Sequence, residues 1–144
     1  MADLTLAHAQ TIITAALAHA RSNGLNTLAV AVLDSRGALK AFAAEDGTSL
    51  NRGEMARGKA NGAVALGMGS RALHRMATER PHFVEGLHSC VNGPLLPVPG
   101  GVLIRDASGV LVGAVGISGD TSDKDEDAAC AGIAAAGLVA DMGQ

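Results

Sequence analysis

The chain has 144 residues and a formal net charge of −3, with 48% apolar and 17% charged residues. This composition excludes a disordered chain, because disorder requires low hydrophobicity and high charge. It also argues against a nucleic-acid-binding protein, since the net charge is negative and Phe42 and Phe83 are the only aromatic residues. Ala and Gly are the commonest residue types, with 28 and 19 copies, and their small side chains allow helices to approach closely.

The sequence shows no clear signal for membrane insertion or for secretion. The longest apolar stretch, residues 128–140, is too short to span a bilayer, so no membrane partner is expected. No secretory signal is visible at the start of the sequence, so a cytoplasmic location is the expectation. Cys90 and Cys130 are then expected to be free thiols. No Cys/His spacing typical of zinc occurs, and no structural metal is expected.

The first third of the sequence predicts a helix followed by a β-hairpin. Apolar residues recur at helical spacing over residues 5–22, and Thr5 is the predicted N-cap. Two apolar segments, 28–33 and 39–43, are predicted strands. Between them, residues 34–37 (DSRG) have Asp first and Gly fourth, the preference of a type I turn.

Two helices and a long loop are predicted in the middle of the chain. The second helix covers residues 51–66, where Asn51 and Glu54 resemble a capping box. A short third helix covers residues 71–79, with Ser70 as its predicted N-cap and its end before Pro81. Residues 80–100 contain all four prolines and are predicted as one long loop, which in a compact domain is often functional.

The last third predicts a second hairpin and a final helix. Strands at 102–105 and 110–117 flank a second Asp-x-x-Gly turn at residues 106–109. The final helix begins near Ser122, and the acids in its first turn complement the helix dipole. These acids are Asp123, Asp125, Glu126 and Asp127.

Residues 128–140 carry no charge on any face of the predicted final helix. A helix that is apolar all round must be covered all round, so we expect this segment to form the interface of a homo-oligomer. The order helix, hairpin, two helices, hairpin, helix predicts an α/β fold, as one domain over residues 1–144, with a mostly antiparallel sheet.

Five histidines are candidate metal ligands. His8 and His19 share one face of the first helix but lie about 16 Å apart along its axis, too far to share one ion. Both are interpreted as solvated or interface residues. Alternatively, either one would be a single axial ligand of a haem at a subunit boundary. His74, His82 and His88 flank the start of the proline-rich loop, where a neutral imidazole is able to bind iron, although their spacing matches no compact metal motif.

Glycines recur every third residue in and just after the last predicted strand, at Gly113, Gly116 and Gly119. This spacing is not the dinucleotide-binding fingerprint, which lies between a strand and a helix. Two interpretations stay open: close packing of a helix on the strand, or a bare backbone wall against which a planar ligand lies.

Two cations on the second helix, Arg52 and Lys59, share one face and have no obvious partner in the sequence. They are candidates for binding a carboxylate, and a solvated face is the alternative. In the carboxylate hypothesis Asp46 or a loop histidine would act as acid or base. No catalytic constellation can be assigned from the order of residues alone.

Several motifs follow one another in the order that a known family shows. They are VxDxxGxL at Val32–Leu39, Asp46-Gly47, Lys59-Ala60 with Ala63, Gly100-Gly101, and the glycine-rich stretch Gly113–Gly119. Over nearly its whole length the chain resembles the GlcG/HbpS-like haem-binding family, which also occurs as the C-terminal domain of PduO-type proteins. One departure is Leu103, where the family often has Pro.

The resemblance implies a profilin-like fold, with a five-stranded antiparallel sheet flanked by helices, assembled as tetramers or octamers. It implies haem or another tetrapyrrole as the ligand and cofactor. The alternative hypothesis is an enzyme or accessory protein acting on a small carboxylate in organic-acid or aromatic catabolism. Together with the side chains above, the predicted ligand-binding residues are Asp46, Arg52, Lys59, His82, His88, Gly100, Gly101 and Ser118.

Overall fold

A computed structural model describes residues 3–144 of the chain. Its strands are β1 (Ala29–Asp34), β2 (Leu39–Ala44), β3 (Gly101–Arg105), β4 (Leu111–Ser118) and β5 (Val139–Asp141). Its helices are α1 (Leu6–Ser22), α2 (Arg52–Leu66), α3 (Ser70–Glu79), α4 (Pro81–Leu87) and α5 (Ser122–Ala135). The strands pair antiparallel in the order β2-β1-β4-β3-β5, which confirms the predicted α/β class and sheet. The extent of the domain over residues 1–144 stays a prediction, because residues 1 and 2 lie outside the described range.

Both predicted hairpins form, and the same local chemistry closes them. The N–H of Gly37 donates to the Asp34 carbonyl, and the N–H of Gly109 donates to the Asp106 carbonyl, each at 3.0 Å. Both glycines have a positive φ, near +86° and +87°, which residues with a side chain rarely adopt. Each Asp side chain also accepts backbone N–H groups inside its own turn. The Asp-x-x-Gly pattern is therefore a sound local predictor at both places.

One face of the sheet packs against α1 and α5. The predicted cap of α1 is confirmed, since the Thr5 hydroxyl accepts the N–H of His8 at 3.0 Å. Ile12 and Ile133, from the two helices, are fully buried against Val30 and Ile117 of the sheet. Burying apolar area of this kind is the main favourable term in folding.

The other face of the sheet is covered by α2 through unusually small residues. Ala56, Ala60 and Ala63 of the helix are fully buried over Ala31 and Gly116 of the strands. A Cβ on Gly116 would overlap the backbone of α2. At Gly116 close helix–strand packing is thus the correct interpretation, because α2 occupies the space that a planar ligand would need. Gly113 and Gly119 pack instead on the backbones of Leu33 and Thr27.

The predicted loop at residues 80–100 contains a helix that the sequence analysis missed. Pro81 is the first residue of α4, where its fixed φ and missing N–H suit a helix start. Two cap predictions also need correction. Asn51 precedes α2 without making a side-chain cap, and the residue before α3 is Gly69, so Ser70 lies inside that helix.

The predicted helix through residues 128–140 is wrong in its second half. The helix α5 ends at Ala135, Gly137 adopts a φ of +75°, and β5 then pairs with β3. Ala128 and Ala129 are fully buried within the chain's own core. Ala134, Ala135 and Val139 are exposed, so an interface at this segment stays a prediction. Within residues 3–144, no helix is both long and apolar enough to cross a bilayer.

Candidate functional site

A buried ion pair joins α2 to the start of α5. The ammonium of Lys59 donates to Asp125 Oδ2 at 3.0 Å and to the carbonyl of Ile117 at 2.8 Å. The Lys59 side chain is 2% exposed and that of Asp125 0%. The second oxygen of Asp125 accepts the N–H of Asp120 at 2.9 Å. The sequence-based view of Lys59 as an unpaired cation is wrong, and Asp125 is a core partner as well as a helix-start acid.

Burial disfavours the charged form of both members of this pair. It lowers the pKa of Lys59 and raises the pKa of Asp125, while their mutual attraction opposes both shifts. The pair occupies the layer between α2 and the end of β4, where solvent does not reach. Its geometry suits a structural link between α2 and α5.

Five of the predicted ligand-binding residues meet around this pair. Arg52 donates to the Ser118 hydroxyl at 3.1 Å. A Cβ on Gly100 would lie 2.9 Å from the Lys59 ammonium, and Gly101 packs directly on the backbone of Lys59. Arg52, Lys59, Gly100, Gly101 and Ser118 thus form one connected layer. Packing explains why these residue types occur at these positions. A ligand-binding role for them stays a prediction.

The other three predicted residues lie elsewhere. Asp46 is exposed in the turn after β2, His82 is exposed on α4, and His88 is exposed at the end of that helix. In the described part of the chain, no hydrogen bond or ion pair connects them to the Lys59 layer. The structure therefore does not gather the eight predicted residues into one site.

The structure contains a second cluster of charged side chains, between α3 and α5, which the sequence analysis did not predict. Arg71 of α3 donates from Nε to both carboxylate oxygens of Glu126, at 3.2 and 3.1 Å, and from Nη2 to Asp123 at 2.6 Å. Hydrogen bonds to Glu126 and then Asp123 raise the pKa of Arg71. The acids were visible in the sequence, but their partner lies on another helix. No group of three or more His, Cys, Asp and Glu residues within 3–144 is placed to hold a metal ion.

A cleft of about 450 Å³ opens beside the C-terminal end of α1 and the N-terminal half of α5. It is lined by His19, Asn23, Leu25, Lys124, Asp127 and Cys130, and we call it the His19 cleft. Farther along the same helix pair the backbones touch, because Gly132 lets α5 approach Ile12 of α1. The volume lies within the range of small-molecule pockets, about 300–1,000 Å³.

The His19 cleft contains one imidazole, one thiol and one ammonium group. The His19 ring is half-buried, with Nδ1 3.4 Å from the Asn23 amide nitrogen. Burial, followed by the nearby charges of Glu126 and Asp127, raises the pKa of the Cys130 thiol to about 11. The thiol is therefore uncharged at neutral pH. A neutral imidazole is a good metal donor, and an ammonium group pairs with carboxylates, so the cleft suits a metal-bearing ligand with acidic arms.

Sequence reasoning had recognised His19 but not the cleft. Two signals were present: His19 and Asn23 are one turn apart on α1, while Lys124, Asp127 and Cys130 recur every third residue on α5. Each pattern defines one helix face. That the two faces meet depends on how α1 packs on α5, which neither pattern contains.

Comparison with known proteins places this fold in a family. The model of the family described as "Haem degrading protein HbpS-like" matches residues 4–134. No curated protein matches the chain in sequence.

Three solved structures are similar over most of the chain. The crystal structure of a PduOC:heme complex has a TM-score of 0.84 and 26% identity, covering 99% of this chain and 100% of its own. The crystal structure of HbpS has a TM-score of 0.79 and 30% identity, covering 93% and 90%. A double mutant of the Streptomyces reticuli HbpS protein has a TM-score of 0.79 and 29% identity, covering 93% and 87%. The resemblance predicted from the motifs is confirmed, and this chain belongs to the HbpS-like family of haem-degrading proteins.

Proposed function

We propose that this protein binds haem, or a closely related tetrapyrrole, in the His19 cleft. The observation that carries the proposal is the placement of a half-buried imidazole beside an ammonium group in a cleft of about 450 Å³. Family membership supports it, as does the similarity to a structure of PduOC in complex with heme.

The residues of the cleft fit such a ligand. His19 would supply the iron ligand, as histidine does in many haem proteins. Leu25 is a buried apolar contact on the cleft wall, and the uncharged Cys130 thiol adds a second weakly polar surface. No aromatic side chain lines the cleft in the described residues, so aliphatic and backbone groups would contact the ring faces. When bound, haem supplies redox and oxygen chemistry.

Titration with ferric hemin tests this proposal. We expect a shifted and sharpened Soret band with the wild-type protein, and affinity weakened by about tenfold or more in His19→Ala, because the iron ligand is lost. His82→Ala and His88→Ala are matched controls, since both histidines are exposed on or beside α4. They should bind hemin like the wild type. Loss of the shift in either control, with His19→Ala unaffected, would move the site to α4.

The alternative function, an enzyme acting on a small carboxylate, is not favoured. That hypothesis used Lys59, Arg57 or Arg52 as the cation that recognises the substrate. Lys59 is buried and already paired with Asp125, so a substrate carboxylate would have to displace a neutralising partner from the core.

We further propose that the protein forms a homo-oligomer, a tetramer or octamer, in line with the family resemblance. The support comes from large apolar side chains at the β2 edge, where Leu39 and Phe42 are exposed and Leu50, just before α2, is fully exposed. An unpaired edge strand with apolar side chains is a natural contact surface. We therefore place the interface there, since the segment at residues 128–140 is not a continuous exposed helix.

Light scattering after gel filtration tests the oligomer. The wild type should elute with a mass several times 14.3 kDa, and Phe42→Glu should shift it toward the monomer. Phe83→Glu is the control, because Phe83 is similarly exposed but lies on α4 beside Arg80. A monomeric wild type would refute the proposal. We also propose a cytoplasmic location, which the free thiols of Cys90 and Cys130 support.

A further inference from the structure

Lys124 is a weakly held cation on the wall of the His19 cleft. Its ammonium lies 3.9 Å from Asp120 Oδ1, the outer limit of an ion pair, and its side chain is 57% exposed. Asp120 has better partners. Its two oxygens accept the N–H groups of Asn26 and Thr121, each at 2.7 Å. The Lys124 ammonium can therefore turn to another carboxylate without leaving Asp120 unpaired.

The charges around the cleft make Lys124 distinctive. Among the cleft residues of the described chain it is the only permanent cation, and Asp127 is the only anion. The nearest basic residue at the end of α1, Arg21, is held by Glu45 and by the carbonyls of Leu25 and Asn26. The cleft thus offers one position for a carboxylate and disfavours a second one beside Asp127.

We propose that Lys124 binds one carboxylate arm of the ligand in the His19 cleft, and so selects acidic tetrapyrroles over uncharged ones. This inference rests on the proposed haem site. It makes Lys124 a specificity-determining residue, which the Asp120 contact holds near the cleft until a ligand arrives. The ligand's other acidic arm would point away from Asp127 to solvent.

Paired titrations of hemin and hemin dimethyl ester, in the same cosolvent, test this inference. The ester keeps the ring and iron but has no ionised carboxylate. We expect Lys124→Gln to weaken hemin binding about fivefold, the scale of one exposed ion pair, and to leave ester binding unchanged. Lys124→Arg should retain the preference for hemin. Arg75→Gln is the control, because Arg75 is an exposed cation on α3 and does not line the His19 cleft.

The outcomes separate this inference from the haem site itself. If hemin and its ester bind the wild type equally, and Lys124→Gln changes neither affinity, the inference is overturned while a His19-dependent Soret shift still supports the site. If neither the wild type nor any variant binds hemin, both proposals fail. A preference for hemin that disappears in Lys124→Gln and returns in Lys124→Arg supports a carboxylate contact at this residue.

Discussion

Replacing Asp125 with Asn is expected to lower the free energy of unfolding by about 3–5 kcal/mol, the usual cost of leaving a buried charge without its partner. Lys59 reaches Asp125 from α2 through a layer that excludes solvent, and its ammonium also donates to the carbonyl of Ile117. Asn has the same shape as Asp and can still accept the N–H of Asp120. The loss would therefore come from the missing charge.

Asp123→Asn is the matched control for this substitution. Asp123 lies in the first turn of the same helix and also pairs with a cation, Arg71, but its side chain is 78% exposed. A surface pair contributes about 1 kcal/mol or less, so this variant should remain close to the wild type.

Urea unfolding followed by far-UV circular dichroism measures both variants, since the chain has no Trp or Tyr for fluorescence. The double variant Lys59→Met/Asp125→Asn should recover part of the stability, because it removes the unpaired charge. Equal losses in the Asp125 and Asp123 variants would contradict the structural role of the buried pair.

The second large effect is expected at Gly116. A Cβ at this position would overlap the carbonyl oxygen of Ala56 and lie 2.8 Å from the nitrogen of Ala60. Backbone atoms of a packed helix cannot move aside as a flexible side chain can. Gly116→Ala should therefore push α2 off the sheet and cost about 3 kcal/mol, the upper part of the range for overpacking.

Gly86→Ala provides the control for the glycine substitution. Gly86 lies inside α4, and nothing lies within 4 Å of the position its Cβ would take. Because Ala favours helix more than Gly, this variant should be unchanged or up to about 1 kcal/mol more stable. If Gly116→Ala unfolds at the same urea concentration as the wild type, the close packing of α2 on β4 is not as tight as described.

The elements that sequence analysis predicted well are those with a complete local cause. The cap at Thr5 and the two Asp-x-x-Gly turns depend on groups only a few residues apart. The errors fall where a local signal has two meanings. The segment after Pro81 is predicted as a loop although proline also starts helices, and residues 139–140 continue an apolar pattern although they belong to β5.

The sequence by itself determined the fold class, the hairpins and the family, but it left open whether a helix or a ligand packs on the spaced glycines. Only the tertiary structure decided which charges neutralise each other and which helix faces line the His19 cleft. Lys59 and Asp125 are 66 positions apart, and the two walls of the His19 cleft come from opposite ends of the chain. Local patterns show that a side chain lies on a given face of a helix, but its partner depends on how that helix packs. That packing makes Lys59 a buried residue of the core, paired with Asp125.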